Sequence, residues 1–507
     1  MVLGIDLGSS NTVVATIAKD GTPVIVPDFN SKSEQSTPSM VMLENNKAFV
    51  GTIAQNLFEL YPDRELLRFF KRRFGTQLPI CTALQHSPFF SETAAAMILK
   101  KIIFDAKLFV NEPIEKCVIT IPSHFNDAQR RSVLEAAKLA DLELTTILDE
   151  PIAAAILYRQ QLHSKADELI MVYDLGGGTF DLTILTNAND SIHVIAKGGI
   201  SNLGGKEFDE IIERKIIDTY HLLYGEKMRD NNLNKNKLKS ISEEIKIKLN
   251  TMDQAGFSTW IYLDSRFFKL FFDKAAYASL AKALIEKTEQ AVNKSLRSLG
   301  LQLADIHKIV LIGGASSSPL VYDYWKQKID TDRQTIIYHQ PLTSVAKGAA
   351  LYANSISKSA AGFQSSIELN NVSTYYIALR DMNTGETEVI VSKNLPLPVT
   401  GIKRIYIAPQ QQVGQYQFML VQFFDQSEEV QELGLISITE MPVKTAGYQL
   451  EIMVENKING TLGLKVKDSR TQQNIKFEFT KKSQLHEYNF DEQYKLINSY
   501  YINNISS

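Results

Sequence analysis

Two textures of hydrophobic and polar positions divide the chain. From Met1 to about Ser357, short apolar runs rich in β-branched residues alternate with longer segments whose apolar positions recur every third or fourth residue. Cys117-Val118-Ile119-Thr120-Ile121 and Leu169-Ile170-Met171-Val172-Tyr173 are of the first kind, bounded by turn residues as strands buried in an α/β sheet are. Helical spacing predicts helices over Ala128–Leu139 and Tyr277–Leu299, the second stopped by Gly300. Beyond, Ser357–Ser366 is small and polar, a linker composition. From Ile367 to Thr480, short alternating runs such as Phe418-Met419-Leu420-Val421 are separated by turn signals at Asn383-Thr384-Gly385, Pro396, Pro398 and Asn459-Gly460. That spacing predicts an antiparallel β-sandwich. Phe490, Tyr494, Ile497 and Tyr501 then sit at helical spacing, enough for one short helix in a tail. The expected division is 1–357, linker 358–366, sandwich 367–480 and tail 481–507.

Composition adds exclusions. The chain has 507 residues, 44% hydrophobic and 22% charged, with a formal net charge of −3, so it offers no broad basic face for nucleic acid. Lys71, Arg72 and Arg73 form a local basic patch that serves either a site or a solvated helix end. Two cysteines, Cys81 and Cys117, make no disulfide framework and favour a reducing compartment. No apolar stretch is long enough to span a bilayer, and Met1-Val2-Leu3-Gly4-Ile5-Asp6 enters a buried strand directly, so no membrane partner is expected and we read the chain as cytoplasmic.

The candidate chemistry lies in glycine loops that follow apolar strands. In Gly4-Ile5-Asp6-Leu7-Gly8-Ser9-Ser10-Asn11-Thr12, Gly8 permits a tight turn whose N–H groups can face an anion. Ser9 and Ser10 add hydroxyl donors there, and Asp6 is placed to hold a metal ion. Asp174-Leu175-Gly176-Gly177-Gly178-Thr179-Phe180-Asp181 repeats the arrangement, with carboxylates at both ends. Such a pair of hairpins, one from each half, can clamp a polyphosphate from opposite sides with paired carboxylates managing Mg²⁺. A third site, Ile312-Gly313-Gly314-Ala315-Ser316, would let an adenosine lie against bare backbone.

With further segments these loops resemble the DnaK-type heat-shock chaperone family. Pro122-Ser123-His124-Phe125-Asn126-Asp127-Ala128-Gln129-Arg130 resembles its Pro-x-x-Phe-Asn-Asp-x-Gln-Arg motif. Asp149-Glu150-Pro151-Ile152-Ala153-Ala154 is similar to its Asn-Glu-Pro-x-Ala-Ala, and Leu203-Gly204-Gly205-Lys206-Glu207-Phe208-Asp209 to its Leu-Gly-Gly-x-Asp-Phe-Asp. The resemblance implies an actin-like, two-lobed α/β ATPase followed by an all-β sandwich that binds polypeptide. It implies ATP or ADP with Mg²⁺ as cofactors, K⁺ as a further candidate, and a J-domain co-chaperone and nucleotide exchange factor as partners. Carried over by position, Asp6 and Asp174 hold hydrated Mg²⁺, while Gly8, Ser9, Ser10, Asn11, Gly176, Gly177, Gly178 and Thr179 meet the phosphates. Lys71 orients the attacking water, and Glu150, Asp174, Thr179 and Asp181 complete the catalytic cavity. Gly204, Gly205, Glu243, Lys246, Gly313, Gly314 and Ser316 fall in the nucleotide site, and Pro122 and Arg130 relay its state to the second domain. Without the resemblance, Glu243 and Lys246 read as an exposed helical ion pair.

Departures from the family's pattern are specific. Ala315-Ser316-Ser317 removes a hydroxyl and a guanidinium beside the base, and Leu342 stands where an Asp is usual. Ser9 and Ser10 replace threonines. In the second domain, Val391-Ser392-Lys393-Asn394, Glu432–Ile438 through Met441-Pro442, and Asn459-Gly460-Thr461-Leu462 resemble family segments. Leu379, Met382, Tyr416 and Phe418 fall near the matching peptide pocket, or are ordinary sandwich core. The family's acidic-leucine linker and long helical lid have no counterpart in 358–366 or 481–507, which predicts fast peptide exchange and puts ATP-driven switching in question. A nucleotide-sensing adaptor with little hydrolysis is the alternative reading. A small-molecule kinase of the same superfamily fits less well, because of the β-rich region.

Overall fold

The structure, a computed structural model, describes residues 1–31, 35–61, 64–76, 78–82, 87–143, 146–162, 168–188, 191–338, 342–360, 367–407, 416–424, 430–438, 448–481 and 489–503. Most of the expected linker, the Gln340-Pro341 pair and Met441-Pro442 lie outside the described residues.

Two six-stranded mixed sheets organise the first 370 residues, and their centres are built alike. In one, Val2–Leu7 pairs antiparallel with Asn11–Ile17 and parallel with Lys116–Ile121, which pairs parallel with Thr146–Asp149. In the other, Glu168–Leu175 pairs antiparallel with Phe180–Ala188 and parallel with Lys308–Ile312. Each central strand therefore delivers an aspartate and a glycine turn at its C-terminal end. Asp6 lies opposite Val13, and Asp174 lies opposite Asp181. Parallel strands covered on both faces need nearly unbroken apolar runs; Leu3, Ile5, Cys117, Ile119, Met171 and Tyr173 are all fully buried.

Between the sheets, the helices Glu150–Leu162 and Ser344–Ala360 cross at close range through Ala153, Ala154, Ala349 and Ala353. A side chain at Gly348 would run into the carbonyl oxygen of Ala153, and one at Gly4 into the backbone of Ala346 and Ala350. Small residues hold this crossing tight. The helix at Ser344–Ala360 runs three residues past the expected domain end at 357, and Lys274–Ser298 forms with Gly300 at φ 70° just beyond it. The helix Asp127–Leu139 starts on a capping box: Asn126 Oδ1 accepts from Gln129 N–H at 2.8 Å, and Gln129 Oε1 accepts from Asn126 N–H at 3.0 Å.

Glu368–Asn370, expected to begin the second domain, is instead a parallel edge strand of the second α/β sheet, on Ser191–Ile200. Beyond it come two antiparallel sheets. One runs Thr387–Val391, Tyr376–Asp381, Tyr416–Phe423, Gln431–Ile438, Glu478–Lys481; the other runs Val399–Ile407, Tyr448–Asn456, Leu462–Asp468. They share one core, in which Leu379, Phe418, Leu420 and Ile436 of the first meet Leu450, Ile452, Val454 and Val466 of the second.

The C-terminal segment is not a free tail. Its helix, Phe490–Asn498, buries Leu496 and Ile497 in the core of the first sheet, joined by Tyr500. Tyr501–Ile502 adds a parallel strand to Lys47–Val50. Gln493 is fully buried, accepting from Thr93 Oγ1 at 2.6 Å and donating to Pro88 O at 3.0 Å. Asn503 Oδ1 accepts from Val50 N–H at 2.6 Å.

Candidate nucleotide site

A cavity of about 420 Å³ opens between the two sheets. It is lined by Asp6, Gly8, Ser9, Ser10 and Asn11 of the first hairpin and by Asp174, Gly176, Gly177, Gly178 and Thr179 of the second. Lys71, Pro122, Glu150, Gly205, Glu243, Lys246, Gly313 and Gly314 complete the expected set there. The hairpins come together closely: a Cβ on Gly177 would lie 2.6 Å from Ser10 Oγ. The second loop is also sealed from behind. Gly205 N–H donates to Gly176 O at 2.9 Å, and Lys206 N–H to Gly177 O at 2.9 Å. Arg72 Nη2 donates to Gly178 O at 3.0 Å.

Carboxylates crowd this cleft. Burial first, and then the charge of Glu150, push Asp6 up to about 7. Burial, Glu150, Asp181 and Asp6 together push Asp174 well above the usual carboxylate range. Glu150 is raised by burial against the pull of Lys71, whose ammonium it holds at 2.7 Å, Lys71 being buried and Glu150 half-buried. Such an excess of buried negative charge is relieved by a cation. Among the described residues no three acidic, His or Cys side chains converge as a complete metal cage. Asp6 and Asp174 thus fit a hard divalent ion that keeps its waters and takes its remaining oxygens from phosphate, as Mg²⁺ does.

Three expected site residues lie outside the cavity lining. Asp181 is 1% exposed behind the loop, where its Oδ1 accepts from Ser123 Oγ at 2.7 Å and His124 N–H at 3.2 Å and meets His124 Nδ1 at 2.8 Å. Burial opposes its ionisation, but the His124 ring and these hydrogen bonds hold it below the usual range. Ser316 is buried and accepts from Leu175 N–H at 3.2 Å, a brace between strand ends and not a ligand position. Gly204 packs on the Gly178 backbone, with 2.5 Å from its would-be Cβ to Gly178 N. Lys246 pairs with Asp209 Oδ1 at 2.8 Å, so the plain helical pair Glu243–Lys246 is not what holds it. Asp209 is pushed up to about 7 by burial, against the pull of Lys246.

Sequence reasoning missed Phe208, Ile247, Asn250, Thr251, Tyr277 and Val345 in the lining. Ile247, Asn250 and Thr251 follow Glu243 at helical spacing, so the helix face was available as a signal; for Tyr277 and Val345 there was none. Leu342 lines the cleft as an apolar group, its Cδ2 3.5 Å from a Cβ on Gly314. Of the peptide positions, Leu379 and Phe418 are 0% and 1% exposed inside the sandwich core. Strand alternation turns both inward, so neither presents a surface to peptide, while Met382 is 47% exposed and Tyr416 half-buried.

The β-region is seated on the motif that follows Ile121. Thr374 Oγ1 donates to Ser123 O at 3.0 Å, and the Tyr375 hydroxyl donates to His124 O. Arg130 donates to Phe125 O at 2.9 Å, to Asp149 Oδ1 at 3.1 Å and across to Asn459 O at 3.0 Å. Lys197, almost wholly buried, meets the other oxygen of Asp149 at 2.6 Å and donates to Val372 O at 3.2 Å. Burial works against the Asp149 charge, yet Lys197 and Arg130 hold its carboxyl below the usual range. Pro122, which opens this loop, lines the cleft itself.

Comparison with known families fits this geometry: the family described as Hsp70 protein matches residues 2–89 and 76–501. The chain belongs to the Hsp70 protein family. It is accordingly a chaperone-like, ATP-binding protein in general, from a family whose members bind ATP or ADP with Mg²⁺ and unfolded polypeptides. The match runs through the sandwich and into the C-terminal helix, so the Hsp70 relationship is not confined to the cleft. Among the described residues no helix of this Hsp70-family chain is long and apolar enough to cross a membrane.

Proposed function

We propose that the protein hydrolyses ATP in this cleft, with an actin-like arrangement of two lobes, and that the nucleotide state governs polypeptide binding by the sandwich. The observation that carries the reading is the Lys71–Glu150 pair, 2.7 Å apart, lining the same cavity as both glycine loops. The loop N–H groups and the hydroxyls of Ser9, Ser10 and Thr179 orient the phosphate chain. Lys71, fixed by Glu150 and lying 5.4 Å from the Phe125 ring, offers ammonium donors to the attacking water and the departing phosphoryl oxygens. Positioning and charge neutralisation are what phosphoryl transfer to water requires. Mg²⁺, held by Asp6 and Asp174 through its water shell, would supply the neutralising charge for the phosphates. Asp181, held ionised by His124, adds a fixed negative charge beside Glu150.

Polypeptide binding rests on family membership and on the surface around Met382 and Tyr416. The contacts from Thr374 and Tyr375 to the Ser123–His124 backbone, and from Arg130 to Asn459, support Pro122 and Arg130 as the relay between cleft and sandwich. Single-turnover hydrolysis, with and without an unfolded polypeptide and beside Lys71→Ala, tests the whole reading. Turnover that needs Lys71 and quickens with polypeptide supports it. Tight ATP binding without Lys71-dependent turnover would leave a nucleotide-sensing adaptor.

A further inference from the structure

A second cavity, about 380 Å³, adjoins the cleft and shares Ser9, Lys71, Pro122 and Thr179 with it. Its chemistry is one-sided. Among the described residues no carboxylate lines it; its charges are Lys71 and Arg72, surrounded by the amides of Asn126, Gln129, Asn202 and Gln431. Arg72 lies flat on the phosphate loop, since a Cβ on Gly178 would sit 2.5 Å from Arg72 Nε. Its Nη2 serves Gly178 O and lies 3.5 Å from Glu207 Oε1, a carboxylate outside the chamber lining, but Nε is buried and has no hydrogen-bond partner among the described residues. An orphaned cationic N–H beside an acid-free polar chamber is stabilised by an anion.

The β-region closes the far side. Tyr375 and Phe424 meet edge to face at 5.8 Å, and Gln431 Oε1 accepts from Asn126 Nδ2 at 3.1 Å. We propose that this chamber is a binding site for a tetrahedral oxyanion, inorganic phosphate, which moves there from the γ-phosphate position, and that the β-region is its outer wall. The inference deepens the ATP-hydrolysing reading and rests on it for the origin of the phosphate. The nucleotide fills the cleft, so the phosphate leaves on the side away from it, past Arg72. Its escape is then controlled by how firmly the β-region is seated.

The test uses the full chain loaded with ADP and titrated with inorganic phosphate, followed by phosphorus NMR line broadening. Two variants change the chamber: Arg72→Met removes its orphaned donor, and Asn202→Asp puts a carboxylate in its exposed wall. Each weakens phosphate binding roughly tenfold, the scale of one charge-assisted hydrogen bond, and Asn202→Asp leaves ADP affinity unchanged. Phe424→Ala opens the outer wall and speeds phosphate release in a single turnover. Binding unmoved by Asn202→Asp would place the anion only at the γ-phosphate position and overturn the proposal, as would no binding at millimolar phosphate. Because the titration needs no hydrolysis, an inactive protein that still binds phosphate in this way would sink the ATPase reading and leave the chamber standing.

Discussion

Replacing Asp6 by asparagine should make the nucleotide-free protein more stable at alkaline pH while weakening its hold on Mg²⁺ and nucleotide. Burial and Glu150 push the Asp6 carboxyl from 3.8 to about 7. Between those values the folded chain holds a proton that the unfolded chain has released, so this group's contribution to stability falls as pH rises through that window. Above it the cost stays constant. At pH 8 the folded protein bears the whole penalty of an ionised Asp6, whereas at pH 5.5 Asp6 is still protonated. At about 1.4 kcal/mol per unit, the pH contrast amounts to roughly 2 kcal/mol, reduced to about 1–2 by water screening in the open cleft. The asparagine side chain carries no charge at either pH. Urea unfolding of both proteins, without nucleotide, at the two pH values measures the difference directly. The variant should gain about 1–2 kcal/mol over the parent at pH 8 relative to pH 5.5, and lose most of the stabilisation that ADP with Mg²⁺ gives the parent. An equal difference at both pH values would refute the view that crowded carboxylates are held at a cost to stability.

Other perturbations probe the scaffold. Arg130→Ala leaves the buried Asp149 with Lys197 as its remaining cation and strips Asn459 O of its donor; a loss of about 3–5 kcal/mol in urea unfolding is expected. Gln493→Leu orphans Thr93 Oγ1 and Pro88 O in a buried setting and should cost about 1–3 kcal/mol, read by the same assay. Gly348→Ala drives a methyl into the Ala153 carbonyl and forces the helix crossing apart, costing about 1–3 kcal/mol in thermal unfolding; an unchanged melting temperature would show that the crossing yields freely.

What the sequence exposed, and what it hid, follows from how local each constraint is. The glycine loops were legible because a phosphate cradle is written within eight residues: apolar strand, Asp, glycine turn, hydroxyl. The structure brings both into one cavity. Asp181 belongs to the same run, yet its place behind the loop depends on Ser123 and His124, fifty-odd positions earlier. Ser316 enters the nucleotide set only through the family resemblance; the parallel pairing of Tyr173 with Leu311 shows it bracing Leu175 instead. For Leu379 and Phe418 the sequence leaves peptide pocket and sandwich core both open, and the core reading holds. Alternation identifies a strand, but which face turns to the core depends on the sheet opposite. The spacing in the tail predicts a helix, and there is one over Phe490–Asn498, but its docking surface is built from residues some 400 positions away.

The two ends of the sandwich leave on different sheets. Its entry strand, Glu368–Asn370, is hydrogen-bonded to the second, while its exit helix is buried in the core of the first. The sandwich is therefore moored to both sheets, like a suspended bridge with an abutment on either bank. Any rotation that widens or narrows the gap between the banks must be absorbed by the span, by its seating on the Ser123–His124 loop, or by one of its moorings letting go.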